Sequence, residues 1–234
     1  MTPSPFTIPA SRINHLRRAA ATVARIPEET PQGWSKSRVD PARVLAIFNA
    51  LRLKPGFTLA AYQFRARDNG NGVVWALPAD ADYPEPDRCP RGGGFLEAPE
   101  PAAALEDVME AVDGDDTPWS YLRASIVSRE LREFGAMWHG CHWSEHTILG
   151  SDPTRRRSRM THTPATGWEW SGPRPTEWKP QILIGKDAVK VVFFTRCQLE
   201  QERIICHTDT FLPGQYRFST EKTTLATGQG GFVF

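Results

Sequence analysis

The sequence predicts an α+β fold, with helices mainly in the N-terminal half packed on a largely antiparallel sheet or partly open barrel. Three observations carry that expectation. Apolar residues recur at helical spacing in segments before residue 135, and strand-like runs dominate from Cys141 onward. Between them, two β-rich runs flank the turn-prone stretch Asp68-Asn69-Gly70-Asn71-Gly72, so the C-terminal half plus a 57–77 hairpin is expected to make the sheet.

The elements follow in order. Residues 1–10 hold three prolines and read as a flexible or extended arm. Ser11 suits the start of a helix with Ile13, Leu16, Ala20 and Val23 along one stripe, ending near Pro27. Asp40-Pro41 opens a second helix with Val44, Leu45, Phe48 and Leu51 inward, and Lys54-Pro55-Gly56 stops it. The hairpin comes next. Residues 78–101 form a long Pro/Gly-rich loop, which suits a flap or a wrapping belt.

Residues 102–112 read as a short acidic helix. Asp116-Thr117-Pro118 then caps the strongest helix, with Leu122, Ile126, Val127, Leu131 and Phe134 at helical spacing and Arg129, Glu130, Arg132 and Glu133 mostly opposite. Strands are expected at 141–149, 168–170, 181–184, 189–196, 200–208, 215–219 and 231–234. Residues 11–234 read as one α+β domain with a sub-boundary near 113–117, because the hairpin needs the later sheet for burial.

Composition excludes several classes. No run of eighteen apolar residues exists, and MTPSPFTIPAS lacks a secretory leader's charged and apolar regions, so a soluble, cytoplasmic protein is expected. The four cysteines show no CxxC pairing and read as reduced thiols. Net charge is +1, which argues against a nucleic-acid partner. The charge is segregated, however: residues 1–60 carry nine basic and three acidic groups, and residues 61–116 carry four and thirteen. The acidic segment could dock on the basic one or on a partner.

Residues 138–146 (WHGCHWSEH) concentrate the chemistry-bearing side chains. On a helix, His139, His142 and His146 would form one stripe, with His142 and His146 placed for a shared zinc and Glu145 as a base. On a strand, His142 and His146 would lie about 13 Å apart, too far for one ion. Gly135 and Gly140 favour a helix end followed by a strand, so no metal or other cofactor is favoured, and a divalent ion at these histidines would need ligands from other segments. His207 and Asp209 share a strand face and, if the fold brought Cys141 to them, would make a cysteine nucleophile set.

Trp138, His139, Trp143, Trp168 and Trp170 make an aromatic and imidazole surface suited to a flat ligand or a sugar. Arg155, Arg156, Arg157 and Arg159 form a loop suited to an anionic partner. The sequence thus points to a non-catalytic binding or assembly protein that engages a ligand or an acidic protein partner through the Trp/His sheet surface and the arginine loop. The alternative is a hydrolytic or metal-assisted enzyme using His139, Cys141, His142 and His146 with His207 and Asp209. P-loop, nucleophile-elbow and zincin patterns are absent from the sequence.

Overall fold

The structure, a computed structural model, describes residues 4–92, 97–155 and 167–233. Among these residues it is sheet-rich with three α-helices. In chain order the elements are β1 (Phe6–Thr7), α1 (Ala10–Ala24), β2 (Gly33–Lys36), α2 (Ala42–Ile47), β3 (Leu51–Leu53), β4 (Phe57–Ala66), β5 (Asn69–Pro78), β6 (Val112–Gly114), α3 (Pro118–Arg132), β7 (His146–Ile148), β8 (Glu169–Trp170), β9 (Gln181–Ile184), β10 (Val189–Cys197), β11 (Arg203–Phe211) and β12 (Phe218–Thr227).

The chain divides into two compact units. The first comprises Met1–His15, Glu145–Pro213 and Phe218–Phe234; the second comprises Leu16–Ser144 and Gly214–Arg217. Helix α1 begins in the first and continues from Leu16 in the second.

The first unit is an antiparallel sheet in the order β1-β9-β10-β11-β12-β8, with β7 also paired to β10. Alternation on β10 and β11 explains its two faces. Val191, Phe193 and Thr195 lie on one face with Asp209, His207 and Ile205 opposite them, all buried. The other face carries Phe194 and Ile204, which cluster with Leu149, Trp178 and Ala226, while Trp168 and Trp170 pack against that cluster. In the proline-rich start Phe6 and Thr7 pair with β9, and Ile8 N–H donates to the Pro180 carbonyl at 3.1 Å. Asn14 then brackets β7, its amide donating to the Ile148 carbonyl at 2.9 Å and accepting from the Ile148 N–H at 3.2 Å. Among the described residues, β8 covers only the C-terminal end of β12, at Ala226 and Thr227, and residues 219–224 are exposed.

The second unit corrects the expected sheet. The 57–77 hairpin does not join the C-terminal strands; β4 and β5 pair with β2 in their own three-stranded sheet, and β3 with β6 in a two-stranded one. The hairpin turns at Arg67-Asp68, with Arg67 at φ 56°, and Asn69 already pairs with Ala66. Gly70 and Gly72 serve packing instead of turning. A Cβ on Gly72 would strike the Phe134 carbonyl, and Gly70 forms a bridge with Met137, so residues 134–137 lie directly on β5. The hairpin is therefore covered by the segment after α3.

The helices also depart from the expectation, since α3 starts past the chain's midpoint. Thr117 caps it, its Oγ1 accepting from the Ser120 N–H at 3.3 Å, with Pro118 in the first turn as expected. It packs on α2 and β5, burying Leu122, Ile126, Val127 and Leu131, each contributing about 1.5–3 kcal/mol of apolar transfer. Arg129 and Glu130 do not face solvent; both are buried. In place of an acidic helix at 102–112 there is a single 3-10 turn, Val108–Ala111, capped by Asp107 and leading into β6. The 113–117 stretch thus lies inside the second unit.

The Pro/Gly-rich loop wraps this unit. Tyr83 Oη donates to the Ala61 carbonyl at 2.5 Å, Tyr62 Oη to that of Pro84 at 2.7 Å, and Trp75 Nε1 to that of Pro99 at 2.7 Å.

Candidate functional site

The histidine-rich segment is neither the continuous helix nor the long strand that its sequence allowed. Trp138–Gly140 and Trp143–Glu145 are 3-10 turns, and the strand begins only at His146. The physical cause is Glu133, just past α3. Its Oε1 accepts from the His142 N–H at 2.9 Å and from the Trp143 N–H, and its Oε2 from the Ser144 N–H at 2.9 Å. Three successive amides turned toward one carboxylate cannot belong to a strand ladder.

Trp143 is held further by buried charge. Its indole Nε1–H donates to Glu130 Oε1 at 2.7 Å, and Arg17 donates to the same oxygen at 2.8 Å and to the Trp143 carbonyl at 2.7 Å. The guanidinium carbons of Arg17 and Arg129 sit 4.2 Å and 5.4 Å from the ring centre. Burial raises the Glu130 pKa above its ordinary value, against the pull of Arg17 and the indole.

The expected ligands fall in both units. His139 and His142 are exposed in the second unit, whereas His146 is half-buried in the first. Among the described residues, no three or more His, Cys, Asp and Glu side chains group as a metal site. Cys141 belongs to the second unit, and His207 and Asp209 to the first. Trp143 belongs to the second unit and Trp168 and Trp170 to the first, and Trp138 stands 55% exposed at φ 50°. Of the arginine loop, Arg155 ends a 3-10 turn, and Arg156, Arg157 and Arg159 lie outside the described residues.

The structure does bring two histidines of the first unit together. Thr195 Oγ1 lies 2.8 Å from His146 Nδ1 and 2.9 Å from His207 Nε2. Phe193 stacks on His207 at 4.7 Å and 5°. Asp209, on the same face, accepts from Thr220 Oγ1 at 2.7 Å. A hydroxyl between two imidazoles can donate to one and accept from the other, so this is an ordered polar ladder. Thr195, His207 and Asp209 are each 0% exposed, which places the ladder in the interior.

Among the described residues, the first unit carries an accessible cleft of about 380 Å³ at one end of the sheet. Glu169 on β8 and Thr227 on β12 lie on one side, Glu200 and Gln201 in the β10–β11 turn on another, and Gly228, Gln229, Gly230 and Gly231 after β12 complete it. The glycines permit a close backbone approach. Gly228 N–H donates to the Glu202 carbonyl at 2.8 Å, and Glu202 N–H to that of Gly230 at 2.6 Å. A Cβ on Gly228 would come within 2.5 Å of Glu202 Oε2. The Glu202 carboxylate is buried and paired with Arg196, whose Nε donates to it at 2.5 Å.

Sequence reasoning missed Glu169, Glu200 and this loop. The available signal was the glycine-rich run T-G-Q-G-G at residues 227–231, just before and overlapping the strand expected at 231–234. Comparison with protein-family models, curated proteins and solved structures found no match to this chain.

Proposed function

We propose that the chain is a non-catalytic binding protein whose first unit holds a small polar ligand in the cleft at the sheet end. The cleft itself carries this reading: about 380 Å³ is a ligand-sized volume, and its walls come from three separate segments joined by the sheet. Trp168 and Trp170, expected as a stacking surface, instead pack against the Leu149, Trp178 and Phe194 cluster and secure β8, the strand that carries Glu169. A non-catalytic role fits the complete burial of His207 and Asp209, which no substrate would reach in this conformation. The four cysteines are free thiols, which suits the cytoplasm. Among the described residues no helix is long and apolar enough to cross a membrane.

The test is a small-molecule panel read by thermal shift, followed by amide chemical-shift mapping of each hit. Binding should perturb residues 167–169, 200–201 and 227–231, and Gln229→Trp, which fills the exposed mouth, should abolish it. Hits that map elsewhere or survive Gln229→Trp would remove the cleft from this role.

A further inference from the structure

We infer that the second unit binds an ordered water molecule under its three-stranded sheet, held by the Gln63 amide and the Ser35 hydroxyl, a site independent of the cleft in the first unit. Gln63 sits within β4 and is 1% exposed. Among the described residues, neither its Nε2 nor its Oε1 has a hydrogen-bond partner, and the buried Oγ of Ser35 has none either. A polar group enclosed in this way finds a partner in protein or solvent, because an unmet donor or acceptor carries the full cost of leaving bulk water.

Register brings these groups together. Ser35 on β2 and Gly72 on β5 are the residues directly opposite Gln63, so all three share one face of the sheet. Opposite Cβ atoms of such a pair lie about 4.5–5.5 Å apart, so the Ser35 hydroxyl stands beside the Gln63 side chain. Its other neighbour in the row is a glycine, so neither adjoining strand overlays the amide with a bulky side chain there. The residues after α3 close the same face. A Cβ on Gly72 would strike the Phe134 carbonyl oxygen, and one on Gly135, at φ 72°, would come within 2.9 Å of Gln63 Nε2.

The chemistry of these groups selects water. Nε2 can only donate, Oε1 and the Phe134 carbonyl can only accept, and the Ser35 hydroxyl does both. Exchanging the oxygen and nitrogen of the amide leaves the same mixture in place. A bare monovalent cation would meet the oxygens but be repelled by the amide N–H. A water molecule accepts from Nε2 and donates to the oxygens, and about three such partners are what a buried water makes. Solvent then links β4 to residues 134–135, part of the segment that covers the hairpin.

The test is nuclear magnetic resonance on the whole isotope-labelled chain. The Gln63 side-chain amide protons should show cross-peaks to water whose sign reverses between laboratory-frame and rotating-frame experiments, the signature of bound solvent. Their absence would overturn the assignment. Ser35→Ala removes the exchanging hydroxyl and should keep the cross-peaks; their loss would mean that the hydroxyl relayed them, and the assignment would fall. Gln63→Leu deletes the amide within a side chain of similar bulk and should lower the melting midpoint. A higher midpoint would mean that the amide had no solvent partner to lose. Exchanging sodium chloride for potassium chloride and then choline chloride, at one ionic strength, should leave the midpoint unchanged. A rise confined to one metal ion would give the site to a cation instead.

Discussion

The second unit buries Arg17, Arg129 and Glu130 around the Trp143 indole, whereas the first buries Thr195, His207 and Asp209 on neighbouring strands. The second unit brings its charges from two helices far apart in sequence, so the ion pair joins α1 to α3 within that unit. The first sets His207 and Asp209 two residues apart on β11, and register brings Thr195 of β10 diagonal to His207 on the same sheet face. Removing one partner should therefore hurt differently in the two units. Cutting the ion pair in the second leaves a full charge out of water, while removing the shared hydroxyl in the first leaves only hydrogen-bonding groups unsatisfied.

The largest effect is expected for Glu130→Ala, which leaves the Arg17 guanidinium buried without its carboxylate and should cost about 3–5 kcal/mol in a urea melt. A loss below about 1 kcal/mol would mean that the pair is solvated and the contrast is wrong.

Alkaline titration comes next. All four tyrosines, Tyr62, Tyr83, Tyr121 and Tyr216, lie in the second unit, and burial raises each pKa, that of Tyr216 to about 12. The unfolded chain releases these protons near pH 10, at the ordinary tyrosine value of about 10, while the folded chain holds them. Stability is then fully present below that pH and is lost as pH rises toward about 12. Absorbance at 295 nm should show little tyrosinate at about pH 10.5 in the folded protein. Four tyrosinates at that pH with the fold intact would refute the burial argument.

Thr195→Val tests the first unit. It removes the hydroxyl shared by His146 and His207 and should cost about 1–3 kcal/mol. A cost equal to that of Glu130→Ala would erase the distinction between the units. The smallest effect expected is the loss of one helix cap: Thr117→Ala should cost about 1 kcal/mol, measured by the same melt.

The parts legible in the sequence are those whose cause is local. Thr117-Pro118 announces α3, and the strand-like run at 189–196 matches β10, while the run expected at 200–208 is shifted from β11 at Arg203–Phe211. Segments whose conformation is set from a distance were not legible. Leu51–Leu53 pairs with Val112–Gly114 across some sixty residues, and neither three-residue run carries a pattern of its own. The 138–146 segment is shaped by Glu133, so its own composition could not decide between helix and strand. The site shows the same division. His207 and Asp209 were placed on one face from spacing alone, but Thr195 was hidden in the run Phe193-Phe194-Thr195. The cleft escaped because it depends on peptide groups of glycines, which leave no side-chain signature.

The exposed side of β12 bears on how copies of this chain would meet. Directly opposite residues of an antiparallel pair share a face, so two copies of one strand related by a two-fold axis must match odd residues with odd and even with even. The exposed run is Ser219-Thr220-Glu221-Lys222-Thr223-Thr224. Its two longest overlaps centre on Glu221 or on Lys222, setting like charges directly against each other. The adjacent opposite charges thus cannot neutralise one another in such a symmetric pairing. At these positions the strand edge discourages the chain from adding to itself end over end into a larger sheet.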